Sequence, residues 1–563
     1  MPPNIQRDWF TDIFFLSSLL FVFYLIWLGS FPLFTPDEGR YTEIAREMVA
    51  SHDYITPRMN GAPFLDKPIL YYWLQSISIR LFGIKEWALR LIPALLGIFG
   101  CVMTYMTGRL LFDRKSALLS ALILATTPLY FGAAHYTNLD LAVAVFISSS
   151  LLCLITGITR NNIYFLYTAY LFGAFAFLTK GMIGIVFPAG ITGLWLIFSW
   201  QLHRIKQLKI PTGLFLFALV VTPWYALVQR ANPDFLHYFF VTQHITRFLS
   251  AGDFNNKSPI WFYAPVILIG FFPWTIFIFQ TLLQTFRDII SAPKIHSTKL
   301  FLFIWFAFVF IFFSLPTSKI VGYILPVFPP LALLTGNFLA KNWYSTRNKN
   351  IFIAAINFII FSVIIGSLLL MLLHHDWLDI SNKMSVCIHI IAITLLISAI
   401  ASLFALRQKT LFLFFSICVA SSVIAALTVT YYAADLNQNS AKKLVLTLKS
   451  QMQPQDQVIS YFKYYQDVPL YLEKQIKVVA DWNSPTISVR DNWTRELWLG
   501  KQFQPSTNWL INEDTFWQQW HSNRRVFVFL NQNYLSQFKS HQPTYYIIGQ
   551  ENDIILLSNK PTI

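Results

Sequence analysis

Six charged residues crowd one stretch of an otherwise oily chain: Asp37, Glu38, Arg40, Glu43, Arg46 and Glu47 lie in "TPDEGRYTEIAREM", residues 35–48. A carboxylate can orient or deprotonate an attacking group, and nearby cations can hold an anionic one. Thr35, Pro36 and Glu38 fit a capping box with proline at the first helical position, a structural task for Glu38. Asp37 shares a helical face with Tyr41, Ile44 and Met48, whereas Glu43, Arg46 and Glu47 point elsewhere. An acid heading an apolar stripe gains from the helix N-terminus and loses from burial, which marks Asp37 as a functional candidate.

Further charged groups recur in short polar stretches. In "FLDKPILYYWLQ", Asp66 reads as the cap of a helix starting at Lys67-Pro68, with an apolar stripe of Leu70, Trp73, Leu74, Ile77 and Leu81 and a stop at Gly83. Such a helix lies in the membrane interface. Lys67 stands at its positive end, where a bound anion or a snorkelling ammonium would explain it. Asp140 opens an apolar run after "HYTN", and Lys180 closes another in "FLTKG". A carboxylate at membrane depth is costly and is a functional candidate, or a solvated first-turn acid. The stretch "FLHYFFVTQHITRF" carries His237, His244 and Arg247, the last two on one face if helical. "SKIVGYILP" adds Lys319 and Tyr323.

The elements that position these groups follow from composition. The 563 residues are 55% hydrophobic and 12% charged, about half the charged fraction of a soluble domain. Apolar runs of span length recur from residue 11 to residue 431, which predicts a polytopic helical membrane protein of about thirteen spans. The expected spans include 116–133, 182–200 and 260–285. Arg109, Arg114 and Lys115, then Arg204, Lys206 and Lys209, and later Arg287, Lys294, Lys299, Lys341, Arg347, Lys349, Arg407 and Lys409, all fall in alternate loops, which should therefore be cytoplasmic. The candidate residues then collect outside. The net charge of +15 reports topology and attraction to anionic membrane lipids, so no nucleic-acid partner is expected. All four cysteines fall inside predicted spans. After residue 431, short β-branched and aromatic runs ("QVISYF", "RVFVFL", "DIILLS") predict an exterior α/β domain over 432–563, behind a membrane domain over 1–431 with exterior loops at 37–83 and 229–259.

Cations at an outer interface could hold a phosphate whose tail stays in lipid, and stabilise the charge it gains as a leaving group. Here the motifs carry a resemblance. "TPDEGRYTEIAREMVASHDYITPRMNG", "KPILYYWLQS", "HYTNLD", "FLTKG", "QHITRF" and "SKIVGYILPVFPPLAL" resemble the GT-C class of lipid-phosphate-dependent glycosyltransferases. They are most similar to its bacterial branch containing the undecaprenyl phosphate-aminoarabinose lipid A transferase, related to protein O-mannosyltransferases. The resemblance covers about residues 8–345 in order. It implies inverting transfer of a sugar, 4-amino-4-deoxy-L-arabinose or a similar amino-sugar, from undecaprenyl phosphate to lipid A or another envelope acceptor. The place implied is the periplasmic face of the bacterial inner membrane, with the N-terminus cytoplasmic. Asp37 would be the essential carboxylate, supported by Asp140; Lys67, Arg247 and Tyr323, with Arg40, Lys180 and Lys319, would bind substrate. Where this chain has Asp66, the aminoarabinose transferases have Glu beside a metal ion and a His, so a divalent metal, zinc or similar, on Asp66 and His244 is implied. A protein or glycan hydroxyl is the alternative acceptor. A lipid-sugar flippase is a rival of another class, which the absence of an internal repeat and of charges along a midplane path disfavours.

Overall fold

The computed structural model describes residues 3–246, 257–343, 349–374, 381–408, 410–437, 439–489, 492–504 and 508–561. By packing, the chain forms two compact units: Met1–Ser30, Pro93–Thr222 and Asn256–Leu436 make the first, and Phe31–Ile92, Pro223–Asn255 and Asn437–Ile563 the second. The segments 31–92 and 223–255 thus pack with the C-terminal residues, whereas a division at residue 432 leaves them with the spans.

Among the described residues, ten helices are long and apolar enough to cross a membrane. Two more pairs reach that length only together. Arg114–Ala125 with Pro128–Ala134 is bent by 65°, and Tyr263–Gly270 with Trp274–Ser291 by 110°. Each break is followed by a proline, Pro128 or Pro273, which cannot continue a helical hydrogen-bond ladder. Ile183–Phe198 is apolar but only 16 residues long. Against about thirteen expected spans, the structure supplies ten, or up to twelve with the bent pairs; the three differences fall at the runs 116–133, 182–200 and 260–285. Leu139–Arg160 is the most enclosed helix, wholly buried over its apolar window. Asn138 caps its start, accepting from Asp140 N–H, and Asn161 ends it in the left-handed region at φ 49°.

In the second unit a six-stranded sheet is built from β3 (Gln457–Tyr461), β4 (Lys477–Val479), β5 (Leu510–Ile511), β6 (Val526–Asn531), β7 (Tyr546–Glu551) and β8 (Ile554–Ser558), in the order β5-β4-β3-β6-β8-β7. The first four run parallel to one another, β8 runs antiparallel to β6, and β7 runs antiparallel to β8. β6 is buried on both faces, as its unbroken "VFVFL" run requires. An aromatic cluster of Tyr461, Phe516, Trp517, Trp520 and Phe538 fills one side.

The helix Asp37–Ser51 belongs to this unit. Glu38, Gly39 and Tyr41 to Met48 are all buried, so the helix is packed on both its apolar and its charged face and does not lie with one side in an interface. Pairing and hydrogen bonds offset the burial of these polar groups. Arg46 binds Glu43 at 2.6 Å and 2.7 Å, and Glu47 accepts from Gly61 N–H at 3.0 Å and 2.9 Å. Burial, then the neighbouring Glu43, push Glu47 up to about 8. A hairpin of β1 (Arg58–Met59) and β2 (Ala62–Pro63) turns at Asn60-Gly61, both at positive φ. The Asn60 side chain exchanges two hydrogen bonds with the backbone of Ile476, at 2.8 Å and 2.9 Å.

The next helix starts at Leu70, three residues beyond Lys67, and Asp66 does not cap it; Ile69 precedes it with no side-chain cap. Its buried face mixes Tyr71, Tyr72 and Ile79 with polar residues. Gln75, Ser76 and Ser78 are buried, donating to Leu89 O, Trp73 O and Ala88 O, while Ile77 and Leu81 are 54% and 68% exposed. The apolar stripe faces away from the protein, as suits a helix bathed in lipid at an interface.

Candidate active site

The candidate residues form one cluster in each unit. In the second unit, Asp37 occupies the first turn of its helix with its side chain 39% exposed, and Arg40 Nη2 lies 3.8 Å from it. Arg40 Nη1 binds Glu496 more closely, at 3.1 Å. Burial works against the Arg40 charge, but Glu496, then Tyr41 and Asp37, hold it above its ordinary value. Arg40 Nε has no hydrogen-bond partner among the described residues, nor has the buried Tyr72 hydroxyl. The Tyr72 ring lies 6.2 Å from that of Tyr41, and burial pushes its hydroxyl far up.

The neighbouring acid behaves differently. Glu38 is fully buried against an equally buried Arg90, with bonds of 2.9 Å and 2.7 Å. Arg90 also donates to Phe31 O and Pro32 O and lies 3.7 Å over the Phe31 ring. Glu38 reaches back to Phe34 N–H at 2.7 Å, while Thr35 Oγ1 donates to Asn439 O. The expected capping box therefore does not form: the helix begins at Asp37, Pro36 precedes it with no side-chain cap, Glu38 serves a buried arginine, and Thr35 a distant carbonyl.

Asp66 lies near a third group. Its Oδ1 accepts from the Tyr238 hydroxyl and from Gln243 Nε2 at 3.0 Å, and Gln243 also donates to Tyr238. Burial and then Asp66 push the Tyr238 hydroxyl far above its usual range. No three His, Cys, Asp or Glu side chains converge on a common point among the described residues. With Oδ1 already taken by two donors, the described surroundings of Asp66 fit a hydrogen-bonded carboxylate better than a metal ligand. Lys67 is half-buried in the bend before Leu70. Arg247 and the side chain of His244 lie outside the described residues.

In the first unit, Asp140 and Lys180 form an ion pair, 10% and 13% exposed, and Lys180 Nζ lies 4.0 Å over the Tyr323 ring. Lys180 is the last residue of its helix, so its side chain leaves where the ladder ends. Gly322 permits the approach, because a Cβ there would lie 2.4 Å from Asp140 Oδ2. Tyr263 donates to Ile320 O at 2.9 Å and anchors the loop before Tyr323. Lys319, expected to meet substrate, is 4% exposed, and its ammonium donates to Ser258 O and Pro316 O. It fastens its own loop, paired with 257–258 through a Lys257–Ser318 bridge.

The structure thus gathers Asp37 and Arg40 in one cluster, and Asp140, Lys180 and Tyr323 in another. Sequence reasoning missed Glu496, Tyr72, Tyr238 and Gln243. For Glu496 no local signal existed, since its partner lies more than 400 residues earlier.

Residues 66–227 match the family described as dolichyl-phosphate-mannose-protein mannosyltransferase. The undecaprenyl phosphate-alpha-4-amino-4-deoxy-L-arabinose arabinosyl transferase of Aeromonas salmonicida (strain A449) is 33% identical over 331 residues, 58% of this chain and 58% of that protein. Its namesake in Shewanella sediminis (strain HAW-EB3) is 33% identical over 349 residues, 61% and 62% of the two. The match therefore spans less than two thirds of these curated relatives. Among solved structures, ArnT from Cupriavidus metallidurans bound to undecaprenyl phosphate has a TM-score of 0.83 at 22% identity, covering 98% of each chain. The apo state of the same protein gives 0.79 at 23% identity, again covering 98% of each. Over more than half its length the chain is thus similar in sequence to undecaprenyl phosphate-aminoarabinose arabinosyl transferases, and over nearly all of it the chain shares the fold of ArnT.

Proposed function

We propose that this chain is an inverting glycosyltransferase. It takes a sugar, 4-amino-4-deoxy-L-arabinose or a similar amino-sugar, from undecaprenyl phosphate and passes it to lipid A or another envelope acceptor at the periplasmic face of the bacterial inner membrane. The observation that carries this reading is the end-to-end likeness of fold to a transferase whose structure holds undecaprenyl phosphate.

The chemistry follows from the charges. The acceptor oxygen attacks the sugar carbon from the side opposite the phosphate; the carbon–phosphate oxygen bond breaks, and the electron pair leaves on the phosphate. Lys67 and Arg247, with the Tyr323 hydroxyl, would stabilise that developing charge. Asp140 fixes Lys180 over Tyr323 and so would orient the phenol. Asp37 is partly open to solvent and would face the acceptor. An acceptor phosphate is already anionic and needs only orientation, whereas a hydroxyl must lose its proton, to Asp37. The match of residues 66–227 to a protein mannosyltransferase family supports the hydroxyl as a second reading. A metal on Asp66 and His244 would have to displace Tyr238 and Gln243 from Asp66 Oδ1.

Purified protein in vesicles containing undecaprenyl phosphate-aminoarabinose and lipid A provides the test. Mass spectrometry should find lipid A heavier by one aminoarabinose residue. Absence of that product, with transfer to a hydroxyl acceptor in a parallel vesicle, would move the reading to the second acceptor. No covalent product from either would sink it.

A further inference from the structure

In the first unit, three helices that follow one another in the chain leave a wedge between them: Leu139–Arg160, Ile163–Lys180 and Ile183–Phe198. The wedge is narrow at one end. A Cβ on Gly184 would collide with Phe177 N, so the last two helices meet there backbone to backbone. Pro188 then interrupts the ladder of Ile183–Phe198, and the space beyond it is open. A Cβ on Gly193 would meet nothing within 4 Å, and one on Gly173 only Ser150 Oγ at 3.6 Å and Gly184 O at 3.7 Å. The result is a cleft of about 360 Å³ with mostly apolar walls, completed by the start of the helix Ile210–Ala231. From Gly184 to Leu196 it follows one helix for about 18 Å, which is the shape of a hydrocarbon chain.

One polar group is stranded in this wall. Thr192 is 3% exposed, and its hydroxyl has no hydrogen-bond partner among the described residues. Nearby helical threonines bond back to their own helix: Thr159, Thr168 and Thr179 donate to Ile155 O, Tyr164 O and Phe175 O at 2.8 Å, 2.8 Å and 2.7 Å. At membrane depth no water replaces a missing partner, so a bare hydroxyl is costly. The open end of the wedge has a different character. Ile205 and Leu208 line it, on a short 3₁₀ helix, Leu202–Leu208, whose end is tied down where the Tyr170 hydroxyl donates to Leu208 O at 3.0 Å. Arg204, Lys206 and Lys209 therefore stand beside the mouth, the arginine half-buried and the lysines exposed. No carboxylate pairs with any of the three among the described residues. Tyr170 is about 15 Å along its helix from Lys180, so the mouth is remote from the Asp140–Lys180 pair.

We propose that this wedge is a binding site for an anionic glycerophospholipid. One acyl chain fills the cleft, an ester carbonyl accepts from Thr192 Oγ1, and the headgroup phosphate meets Arg204, Lys206 and Lys209. A void open to lipid at this depth takes up hydrocarbon, because an empty one forfeits dispersion contacts along its lining. The stranded hydroxyl needs an acceptor. A polyprenyl tail has none along its hydrocarbon, whereas a glycerolipid carries one at the root of each acyl chain. Three cations at the mouth of a helix bundle match an anionic headgroup better than a zwitterionic one. The site is separate from the transfer chemistry proposed above, and it makes a membrane lipid part of the bundle that carries Lys180.

Native mass spectrometry of the delipidated full chain in detergent tests this, with phosphatidylglycerol, phosphatidylcholine of the same chains and undecaprenyl phosphate as probes. Wild type should bind one phosphatidylglycerol about tenfold or more tighter than phosphatidylcholine, and Arg204→Gln/Lys206→Gln/Lys209→Gln should lose that preference. Thr192→Val should weaken the ester-linked lipid about threefold to tenfold, the effect of one lost hydrogen bond. It should leave an ether-linked phosphatidylglycerol, which has no carbonyl, unchanged. Gly193→Leu should block binding while the melting temperature in lipid-free detergent stays at or above that of wild type. Equal binding of the two headgroups, equal losses for ester and ether lipids, or full binding by Gly193→Leu would each overturn the inference. Displacement of phosphatidylglycerol by equimolar undecaprenyl phosphate would do the same, by giving the cleft to a polyprenyl tail. The readout needs no sugar transfer, so failure here leaves the proposed function standing, and failure of transfer leaves this site standing.

Discussion

Asp37 and Glu38 are adjacent acids in the first turn of one helix, and the structure treats them oppositely. Glu38 is sealed from water with two bonds to Arg90 and one from Phe34 N–H. Asp37 is two-fifths exposed, and the Arg40 guanidinium stands 3.8 Å from it and 3.1 Å from Glu496. A buried pair with every oxygen occupied holds a chain segment in place and has no capacity left for a reaction. An acid that is partly exposed keeps its access to a substrate. The contrast fits a scaffold role for Glu38 and the acceptor-facing role proposed for Asp37.

The largest expected effect breaks that contrast at the chemical end. Asp37→Asn should cut sugar transfer by about 10²–10⁴-fold with the melting curve nearly unmoved; near-normal turnover would end any essential role for this carboxylate. Glu38→Gln should act the other way round, costing about 3–5 kcal/mol because the Arg90 charge would stay buried without its counter-charge. Thermal unfolding in detergent would register it, and a wild-type melting temperature would show that the pair is not a scaffold.

Gly322→Ala probes the other cluster. The added methyl must displace the Asp140 carboxylate, and transfer should fall by about 10-fold to 100-fold as Lys180 moves off Tyr323; activity equal to wild type would separate this pair from the reaction. A smaller effect concerns pH. Burial, then Glu43, raise Glu47 from 4.5 to about 8, and burial raises Asp467 from 3.8 to about 6. In both cases the folded state binds the proton more tightly than the unfolded one. The stability these two groups contribute should therefore be fully present below about pH 4 and be lost as pH rises through 6 and then 8. Glu47→Gln should flatten the upper part of that decline, and a melting temperature that rises from pH 5 to 8 would contradict the assignment. The smallest change is Tyr238→Phe, which removes one donor from Asp66 and should cost about 0.5–1.5 kcal/mol. If chelation lowers the melting temperature of the wild type but not of Asp66→Asn, Asp66 is a metal ligand instead.

Much of the fold was legible because a membrane imposes length and polarity on each segment separately. The runs at 139–158 and 162–179 became the helices Leu139–Arg160 and Ile163–Lys180 almost unchanged, and Asn60-Gly61 became the turn its residues favour. Local pattern failed where the environment of a face decided the outcome. The stripe Leu70–Leu81 was rightly seen as amphipathic, but only the structure showed that Gln75, Ser76 and Ser78 share the buried face with Tyr71, Tyr72 and Ile79. The acids of residues 37–47 were visible, yet sorting them required partners that no periodicity reveals: Arg90 for Glu38, Gly61 for Glu47, and Glu496 for Arg40. Asp140, Lys180 and Tyr323 were each named from separate motifs, and it took the close approach at Gly322 to show that they meet.

The bonds between Asn60 and Ile476 join residues 416 positions apart, and Thr35 likewise reaches Asn439. A ribosome makes the first of these segments long before the second. The segments flanking the helix that bears Asp37 must therefore wait for these contacts until most of the polypeptide has emerged. A chain cut short by a premature stop could insert its spans and still lack a finished catalytic loop. Maturation of the protein is in this sense gated by completion of its own synthesis.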